Sequence, residues 1–430
     1  MNTQDLHILI FEDEEIASNF SPLALTRPVF DILAGPGTLL ENHLRVLGST
    51  ACSLFVRDHL RGITERRHPG HPVNPDSSDQ DVLFLNGSSM VSPATLKRLM
   101  GRKEPFRAIA GTKIIAAMAP RREASRLLRD ALRTGRLDFN TASYPRQVRL
   151  PQVSLLEYPW QLIALNPRFL AERIPLLPLR RRVTPASATI LGHNDHVYVE
   201  EGASFEKPSV LDARGGPIFV GRGTEVRAFT RISGPAYIGR HTILRSALVG
   251  EGCTVMDHCR LGGELEQSIL SGYSNKQHSS FLGHSYVGQW VNIGALTANS
   301  DLKNTYGSIR MDLQDRRIDT GMEKVGCFLA DYSKTSIGTQ IYAGKRIGVA
   351  SQVHGGVYDD VPSFTIYTRS VNGKVFQLDI DSAIKTQERM MTRRGVKMAE
   401  EEVALIKNLF EATRTERRRA GVVSKRLSFT

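Results

Sequence analysis

The stretch VGRGTEVRAFTRISGPAYIG, from Val220 to Gly239, carries an aliphatic residue at every sixth position. The repeating residues are Val220, Val226, Ile232 and Ile238, and after a slip of one position the series resumes at Ile243, Val249, Val255 and Leu261. Neither an α-helix nor an ordinary strand has a period of six, whereas a hexapeptide repeat does. In that repeat three short strands form one triangular coil, one aliphatic side chain per hexad points inward, and the coils stack. The stretch therefore predicts a parallel β-helix.

Glycine supports the same prediction, because it follows many of the aliphatic residues. The pairs are Val220-Gly221, Ile238-Gly239, Val249-Gly250, Val287-Gly288, Ile293-Gly294, Ile337-Gly338 and Ile347-Gly348. Chance is the alternative in a segment rich in glycine and valine, but it does not account for two runs in phase. We predict a β-helix over residues 197–375, with a wall that is structural and catalyses nothing by itself.

The first part of the chain, residues 1–175, has a different pattern. Apolar runs predict strands at residues 6–11, 51–56, 82–85 and 109–116. Helical patterns alternate with them at residues 37–47 and 92–100, and a basic helix follows at residues 121–136. This alternation predicts an α/β domain with a mainly parallel sheet and helices on both faces.

Two further segments complete the organisation. Residues 176–196 include the basic sequence LPLRRRVTP and are predicted to be a linker. Residues 376–430 show helical spacing at Met390, Met391, Met398, Leu405 and Leu409. They predict one helix over residues 380–413, packed on the β-helix or on a neighbouring subunit. The basic end, RTERRRAGVVSKR, is expected to be a frayed, solvated tail, with ligand binding as the alternative.

The formal net charge of +12 indicates either a solvated basic surface or attraction for anionic ligands such as nucleotides, sugar phosphates and coenzyme A. Nucleic acid is the lesser alternative because no nucleic-acid-binding signature occurs. The four cysteines are too few and too scattered for a disulfide framework, so we expect reduced, buried thiols and no dedicated metal site. No apolar run of about 18 residues occurs, and the N-terminus lacks the basic region of a signal peptide. The expected location is the cytoplasm, with no membrane partner.

The densest polar stretch is NKQHSSFLGHSYVGQWVNIGALTANSDLKNTY, from Asn275 to Tyr306. His278 stands between polar neighbours, outside the inward aliphatic positions. An imidazole suits removal of a proton from an amine that attacks a thioester. Amides and a lysine later in the stretch suit sugar hydroxyls and a phosphate. A surface loop with a capped turn is the alternative, but the cluster lies inside a hexapeptide prism and favours a site.

This stretch resembles the acetyltransferase half of the bacterial bifunctional enzymes that acetylate glucosamine 1-phosphate and then uridylylate it. The matching residues are His278, Phe281-Leu282-Gly283, Asn292-Ile293-Gly294-Ala295, Asn299 and Lys303. The resemblance implies that His278 is the general base and that Asn292, Asn299 and Lys303 hold the sugar phosphate. Phe281 replaces a tyrosine of that family, so a hydroxyl contact is lost. The left hand of the β-helix and a homotrimer are also implied only by this resemblance.

A less-studied branch of sugar-nucleotidyltransferase-like proteins is more similar still. Its SDLKN-x-YG element is Ser300-Asp301-Leu302-Lys303-Asn304-Thr305-Tyr306-Gly307 here, and its GD-x-[ST]-KT-x-IGT element matches residues 330–339. Asp301 and Asn304 are substrate-binding candidates because they belong to the polar set that suits sugar hydroxyls and a phosphate, and Tyr306 joins them within this element. The family's acetyl donor, acetyl-CoA, would run along residues 326–353, where Lys334, Lys345 and Arg346 are candidates for its phosphates. Ordinary solubility at prism corners is the alternative for these three cations.

The first domain resembles the sugar nucleotidyltransferases more loosely. Pro22-Leu23, Thr26-Arg27-Pro28 and Gly35-Pro36-Gly37 follow the family frame. The glycine-rich phosphate loop is replaced by the carboxylates of residues 12–15, and Val29 replaces a lysine. Such carboxylates repel a triphosphate unless a metal intervenes, so Mg²⁺ is expected only if this domain is active.

Three residues remain candidates in that domain. Arg27 could hold a phosphate or pair with Asp31. Asn86 stands where the family has its magnesium-binding aspartate. Asn166, in ALNPRF, is the candidate for the second polar metal position.

These observations leave three hypotheses, in this order. The first is acyl transfer from acetyl-CoA to an amino-sugar 1-phosphate, coupled or not to nucleotidyl transfer in nucleotide-sugar synthesis. The second is a sugar-1-phosphate uridylyl- or thymidylyltransferase with a structural β-helix. The third is an inactive sugar-nucleotide sensor or scaffold.

Overall fold

The computed structural model describes residues 6–48, 52–140, 144–179 and 181–424 of the 430-residue chain. The chain forms two compact units. The first comprises the residues up to Ile32 together with Gly37–Pro159, and the second comprises Leu33–Pro36 and Trp160–Thr430.

The first unit is an α/β domain built on a six-stranded sheet. Its strands are β1 (Leu6–Phe11), β2 (Ser53–Phe55), β3 (Asp81–Asn86), β4 (Phe106–Ala110), β5 (Lys113–Ala119) and β6 (Arg146–Arg149). Its helices are α1 (Glu14–Asn19), α2 (Leu39–Leu47), α3 (Arg61–Arg67), α4 (Pro93–Met100) and α5 (Arg121–Thr134). The strand order is β2-β1-β3-β5-β4-β6.

The sheet is mixed but mainly parallel, as predicted, because five of its six strands run in the same direction. β1, β2 and β3 are parallel, but β5 runs antiparallel to both β3 and β4. The run predicted as one strand at residues 109–116 is divided between β4 and β5. Gly111, with a φ of +56°, makes the turn between them, and only glycine adopts this conformation without strain.

The predicted helices of this unit are confirmed, and side-chain caps determine where two of them begin. Thr38 caps α2 with a reciprocal capping box to Glu41, and Ser92 caps α4 ahead of Pro93. The strand predicted at residues 51–56 is observed as the shorter β2, and residue 51 lies outside the described residues.

The second unit begins with α6 (Pro159–Arg173) and continues as a solenoid of short strands. These are β7 (Arg182–Val183), β8 (Thr189–Leu191), β9 (Val197–Glu200), β10 (Ser204–Phe205), β11 (Ser209–Asp212), β12 (Ile218–Val220), β13 (Glu225–Val226), β14 (Thr230–Ser233), β15 (Ala236–Ile238), β16 (Ile243–Val249), β17 (Cys253–Val255), β18 (Arg260–Glu266), β19 (Ile269–Leu270), β20 (Asn275–Lys276), β21 (Phe281–Gly283), β22 (Tyr286–Val287) and β23 (Ala298–Asn299). They are followed by β24 (Arg310–Leu313), β25 (Arg316–Asp319), β26 (Phe328–Leu329), β27 (Lys334–Thr335), β28 (Gln340–Ile341), β29 (Arg346–Ile347), β30 (Gln352–Val353), β31 (Gly356–Val357), β32 (Thr365–Tyr367) and β33 (Val375–Gln377).

The parallel β-helix is confirmed by the strand pairing. One face stacks β9, β12, β15, β17, β19, β22, β26 and β29 in parallel, each strand coming from the next coil. β16 and β18 bend around a corner, so their two halves pair on different faces. The antiparallel hairpin of β24 and β25 is an excursion from the coils. The hand of the coil stays a prediction.

The hexad residues form the core of the solenoid with one exception. Val220, Val226, Ile232 and Ile238 are buried there, as are Val249, Val255 and Leu261. Ile243 is only half-buried, and Leu244 takes the inward position because it pairs directly with Val226. The slip in the repeat therefore falls between Leu244 and Val249, one hexad later than the sequence predicts.

The division between the units falls after Pro159, earlier than the predicted boundary at residue 175. The cause is α6, which packs on the solenoid: Leu170 and Ile174 are buried together with Phe219 of β12. Part of the predicted linker, residues 176–196, is also structured, since β8 pairs with β11.

The C-terminal segment forms α7 (Arg369–Asn372), α8 (Ile380–Thr392), α9 (Glu400–Ala412) and α10 (Arg414–Arg419). The single helix predicted over residues 380–413 is wrong, because Gly395 at a φ of +68° interrupts it. The expected fraying is also wrong as far as residue 424. Arg417 is buried and donates to Thr413 and to the Phe410 carbonyl, and Val423 pairs with Phe376.

The described residues contain no helix of the length and apolarity needed to cross a membrane. All four thiols are buried and free of disulfides, as expected, and burial raises the pKa of each to about 12.

Candidate functional site

A line of polar side chains runs along one face of the solenoid, one from each successive coil. Backbone pairing places them side by side, and we call them the polar ladder: Arg260, Asn275, Asn292, Lys334 and Gln352. Each directly precedes an inward-facing residue, so each points outward, because side chains alternate along a strand.

Helix α8 lies over this ladder and encloses a cavity of about 730 Å³. The solenoid contributes Arg260, Asn275, Gln277, His278, Asn292, Ile293, Gly294, Ala295 and Lys334, and the C-terminal segment contributes Thr386, Arg389, Met390, Arg393 and Arg394. His278 is exposed at this cavity. The structure thus brings together His278, Asn292 and Lys334 of the predicted site residues.

The cavity is strongly cationic. Arg260, Lys334, Arg389, Arg393 and Arg394 line it, and among the described lining residues none carries a carboxylate. Lys334 is the most enclosed of them: its Nζ donates to the Tyr332 carbonyl at 2.8 Å and to Oε1 of Gln387 at 3.1 Å. Burial lowers the pKa of Lys334 to about 7. A field of one sign in an enclosed cavity attracts an anionic ligand.

A second set of hydrogen bonds joins Arg394, two residues beyond the end of α8, to the ladder. The guanidinium of Arg394 donates to Oδ1 of Asn275 at 2.5 Å, and Nδ2 of Asn275 donates to Oδ1 of Asn292 at 3.2 Å. These bonds leave Nδ2 of Asn292 as a donor at the cavity. The amide donor and the cations can bind a phosphorylated ligand. The imidazole beside them can accept a proton from that ligand.

Asn299 and Asp301 are placed elsewhere. The Asn299 side chain is buried and bonds to both the N–H and the carbonyl of Gly283, at 2.9 Å each. The Asp301 carboxylate accepts from Nδ1 of His284 at 2.7 Å. Burial, the largest single effect, would raise the pKa of Asp301, but the hydrogen bond and charge of His284 together with the Lys324 charge and a backbone hydrogen bond lower the pKa overall. Neither side chain lines the cavity.

The remaining predicted binding residues are also absent from the described cavity lining. Lys303, Asn304 and Tyr306 belong to the loop after β23, and Tyr306 is 71% exposed. Arg346 is bound through two nitrogens to Asp360, at 2.6 and 2.9 Å, so its charge is already balanced. Lys345 is half-buried and lies outside the cavity.

A separate cavity of about 540 Å³ lies in the first unit, where β1 ends and β5 begins. The carboxylates of residues 12–15 line it, and three of them have partners within the protein. Glu12 binds Arg57 at 2.9 and 3.0 Å and accepts from the Val29 N–H. Asp13 caps α1 through the Ile16 N–H, and Glu15 pairs with Lys113 at 2.5 Å.

Arg27 and Asn86 do not line this cavity. Arg27 is buried, and the carboxylate of Asp31 is held by His68 at 2.9 Å. Asn86 is fully buried: its Oδ1 accepts from the N–H and the hydroxyl of Ser88, and its Nδ2 donates to the Ile114 carbonyl. The Asn86 amide therefore holds the end of β3 against β5.

Asn166 belongs to the second unit and has an internal role. Its Oδ1 accepts from the Gly35 N–H at 2.9 Å, and its Nδ2 donates to the Gly252 carbonyl at 2.7 Å and to Thr254 at 3.0 Å. Its amide connects three segments of that unit and has no free donor for a ligand.

The two implied ligands fit these sites differently. Magnesium with a nucleoside triphosphate needs free carboxylate oxygens and backbone N–H groups. The carboxylates of the first unit already hold Arg57, Lys113 and the start of α1, so its residues do not fit that ligand in this conformation. The phosphates of coenzyme A need cations, and the polar-ladder cavity supplies them without an opposing carboxylate among its described lining residues.

Sequence reasoning missed Arg389, Arg393 and Arg394, and it also missed Lys276 and His284. Thr386, Arg389, Met390 and Arg393 recur at the spacing of one helical face, which is a readable signal. The sequence does not predict that this helical face contacts the ladder, because the helix and the ladder residues are far apart along the chain.

Comparison with known proteins finds similarity to a sugar nucleotidyl transferase family and to bifunctional proteins. Residues 8–182 match the sugar nucleotidyl transferase family. The chain is 28% identical over 93 residues to the bifunctional sugar-1-phosphate nucleotidylyltransferase/acetyltransferase of Sulfurisphaera tokodaii, covering 22% of this chain and 23% of that protein. It is 36% identical over 98 residues to bifunctional protein GlmU of Paraburkholderia phymatum, covering 22% and 21%. A match to GlmU of Nitrosospira multiformis has 24% identity over 193 residues, covering 36% and 39%.

Residues 8–182 are thus similar to the sugar nucleotidyl transferase family, and parts of the chain are similar to a bifunctional sugar-1-phosphate nucleotidylyltransferase/acetyltransferase and to GlmU proteins. The alignments span between a fifth and a quarter of the first two curated relatives. The solved structure of Francisella novicida UDP-N-acetylglucosamine acyltransferase covers 53% of this chain and 78% of its own, with 14% identity and a TM-score of 0.29. The assignment of the solenoid rests on the strand pairing.

Proposed function

We propose that the solenoid unit transfers an acyl group from an acyl-coenzyme A, acetyl-CoA in the first instance, to the amine of an amino-sugar phosphate. The observation that carries this proposal is that His278 lines one cavity together with several cations and an asparagine amide. The relatives named as acetyltransferases support the choice of reaction class.

The imidazole of His278 accepts the proton that the attacking amine loses as its nitrogen bonds to the thioester carbon. The carbon–sulfur bond breaks, and coenzyme A leaves as the thiolate, which then takes up a proton. The thioester supplies the acyl group, while Lys334 and the arginines of the C-terminal segment hold phosphate groups through charge-assisted hydrogen bonds. Asn292 orients the acceptor through its amide.

The experiment measures thiol release from acetyl-CoA with a panel of amino-sugar 1-phosphates. His278→Ala is compared with wild type, and Ser279→Ala, an exposed neighbour in the same turn, is the matched control. We expect a loss of about a hundredfold or more in His278→Ala, the usual scale for a general base, and wild-type rates in Ser279→Ala. Equal rates in His278→Ala and wild type would contradict the assignment of the base, and no release with any sugar would contradict acyl transfer.

Sugar-1-phosphate nucleotidyl transfer is a second candidate, favoured by the family match of residues 8–182. It requires the carboxylates of residues 12–15 to exchange their internal partners for a metal. Pyrophosphate release from UTP or dTTP that depends on Mg²⁺ and on Arg27 would support it. Failure of these nucleotides to raise the melting temperature with Mg²⁺ present would count against it. Binding without turnover at either cavity would favour a sensor or scaffold.

We also propose a homotrimer, as in the β-helix enzymes that the chain resembles. Light scattering should then give three times the chain mass of 47.7 kDa. A mass equal to that of one chain would show that α8 and the ladder of a single copy make up the whole site.

A further inference from the structure

A buried lysine interrupts the apolar column inside the solenoid. Val226, Leu244, Leu261 and Ile293 occupy this inward position in neighbouring coils, and all are buried. Lys276 occupies it between Leu261 and Ile293, with 1% of its surface exposed. Its methylene stem continues the column, and its ammonium is also buried.

The Lys276 ammonium donates only to backbone carbonyls. Nζ lies 2.7 Å from the Ser280 carbonyl, 2.9 Å from the Gly262 carbonyl and 3.4 Å from the His278 carbonyl. Lys276 forms no ion pair with a described residue, and Glu264 acts on it only at longer range. Burial lowers the pKa of Lys276 to about 8, so the ammonium form predominates at neutral pH.

Two of these carbonyls belong to the turn of residues 277–280, which separates β20 from β21. The turn leaves the hexad pattern. The Ser280 carbonyl still accepts from the Glu264 N–H at 2.9 Å, where β18 pairs with β21, and the Lys276 ammonium is its second donor. The Lys276 ammonium donates hydrogen bonds to the carbonyls of His278 and Ser280 on the inner side of the turn. The His278 side chain is exposed at the cavity on the outer side. A hydrogen bond that fixes a carbonyl also fixes its planar peptide unit. It therefore fixes the Cα atom from which the side chain extends.

We propose that Lys276 is a positioning residue for His278, which holds the turn of residues 277–280 so that the imidazole faces the polar-ladder cavity. This inference rests on the proposed function for its catalytic consequence, but the ordering of the turn does not depend on it. Lys276 touches neither the substrate nor the reacting atoms.

Stability alone does not explain a lysine at this position. A leucine or methionine would continue the column without the cost of burying an unpaired charge. The three carbonyls recover part of that cost, since hydrogen bonds to a charged group are stronger than those between neutral groups. The lysine therefore makes the core no more stable than an apolar residue would, and what it adds is the order of the turn.

The experiment compares Lys276→Met with Leu261→Met, which changes the neighbouring position of the same column. Hydrogen exchange measured by mass spectrometry reports the order of residues 277–280, and thermal unfolding reports the fold. In Lys276→Met we expect exchange in the turn to quicken about tenfold or more, with a melting temperature close to that of wild type. In Leu261→Met, turn exchange should stay at the wild-type rate.

The kinetic readout separates positioning from binding. In Lys276→Met we expect kcat to fall by about tenfold to a hundredfold, the scale of a small misplacement of a catalytic group, with KM for acetyl-CoA within twofold of wild type. Lys276→Gln keeps two N–H donors and should recover part of kcat.

Two results would overturn the proposal: unchanged turn exchange with kcat within twofold of wild type, or exchange that quickens throughout the solenoid together with a lower melting temperature. If wild type shows no turnover, the proposed function fails, and the exchange comparison alone decides the role of Lys276.

Discussion

Lys334 on the solenoid donates a hydrogen bond to Oε1 of Gln387 on α8 at 3.1 Å. The two residues are far apart in the chain, and both side chains are largely enclosed. This contact and the bond from Arg394 to Asn275 place the C-terminal segment over the ladder of the same chain. The enclosed cations of the candidate site therefore depend on how α8 packs.

Lys334→Met should stabilise the fold near neutral pH. Burial lowers the pKa of Lys334 from an ordinary 10.5 to about 7. Between these values the unfolded chain binds more protons than the folded one, so the wild type gains stability as pH rises from about 7 towards 10.5. The unfavourable contribution is complete below pH 7. Methionine removes it, and we expect a gain of about 1 kcal/mol at pH 7 after the loss of two hydrogen bonds.

Urea unfolding of both proteins at pH 7 and at pH 10 tests this prediction. The advantage of Lys334→Met should shrink as the pH is raised. A difference that does not change with pH would show that Lys334 keeps an ordinary pKa in the fold. Lys385→Met, an exposed lysine of α8, is the control and should show no such trend.

Arg389→Ala and Arg393→Ala should weaken the binding of coenzyme A. Both guanidinium groups line the ladder cavity. Loss of one charge-assisted contact should cost about tenfold in affinity, and the effect should diminish at high salt because exposed charges are screened. Titration calorimetry measures it, with Lys385→Ala as a control that changes the charge of α8 outside the described cavity lining. Equal losses in all three variants would indicate a general charge effect.

Glu12→Gln should destabilise the first unit by about 3 kcal/mol, because it leaves the Arg57 guanidinium with a neutral partner in a buried pair. The Glu12 side chain is 1% exposed and also accepts from the Val29 N–H. Glu14→Gln, at an exposed position of the same acidic stretch, should change stability by less than about 0.5 kcal/mol. Denaturant unfolding compares the two. Equal effects would mean that Glu12 has no special structural role.

Asn166→Ala should destabilise the second unit by about 2 to 4 kcal/mol, since it strands the buried Gly35 N–H and the Gly252 carbonyl. The measurement is the midpoint of thermal unfolding, with the exposed Asn304→Ala as the control. A small loss of stability together with a large loss of nucleotidyl transfer would instead support the sequence-based prediction that Asn166 binds the metal.

Asp301→Asn should cost about 1 to 2 kcal/mol at neutral pH by weakening the bond from His284. The folded pKa of Asp301 lies below its ordinary value of 3.8. Its contribution is therefore present above that value and is lost as pH falls through the folded pKa. Acid unfolding curves of variant and wild type should begin to approach each other below pH 3.8 and should meet only below the folded pKa. A gap that persists there would assign the effect to packing.

The sequence was most informative where one local rule repeats. The six-residue period identified the solenoid, because each coil must bury one aliphatic side chain whatever surrounds it. The position of the slip was misassigned because Ile243 and Leu244 are both aliphatic, and only strand pairing decides which faces inward.

The site was only partly predictable, because chemical type does not determine position. His278, Asn292 and Lys334 share a cavity, whereas Asn299 and Asp301 are used to bond Gly283 and His284. The sequence gives the residue type of an amide or carboxylate side chain, but it does not show whether that side chain binds a ligand or the backbone. The role of α8 could not be inferred either, since it depends on a packing contact between distant segments.

The polar ladder also has a length. Neighbouring strands lie about 4.8 Å apart, so the five side chains from Arg260 to Gln352 are spaced over roughly 19 Å. A flexible, extended ligand lying along the solenoid axis would meet a new polar group at each coil. The number of coils would then set the length of ligand that the ladder accepts. Removing one whole coil would shorten that length by one strand spacing and leave the remaining polar contacts unchanged.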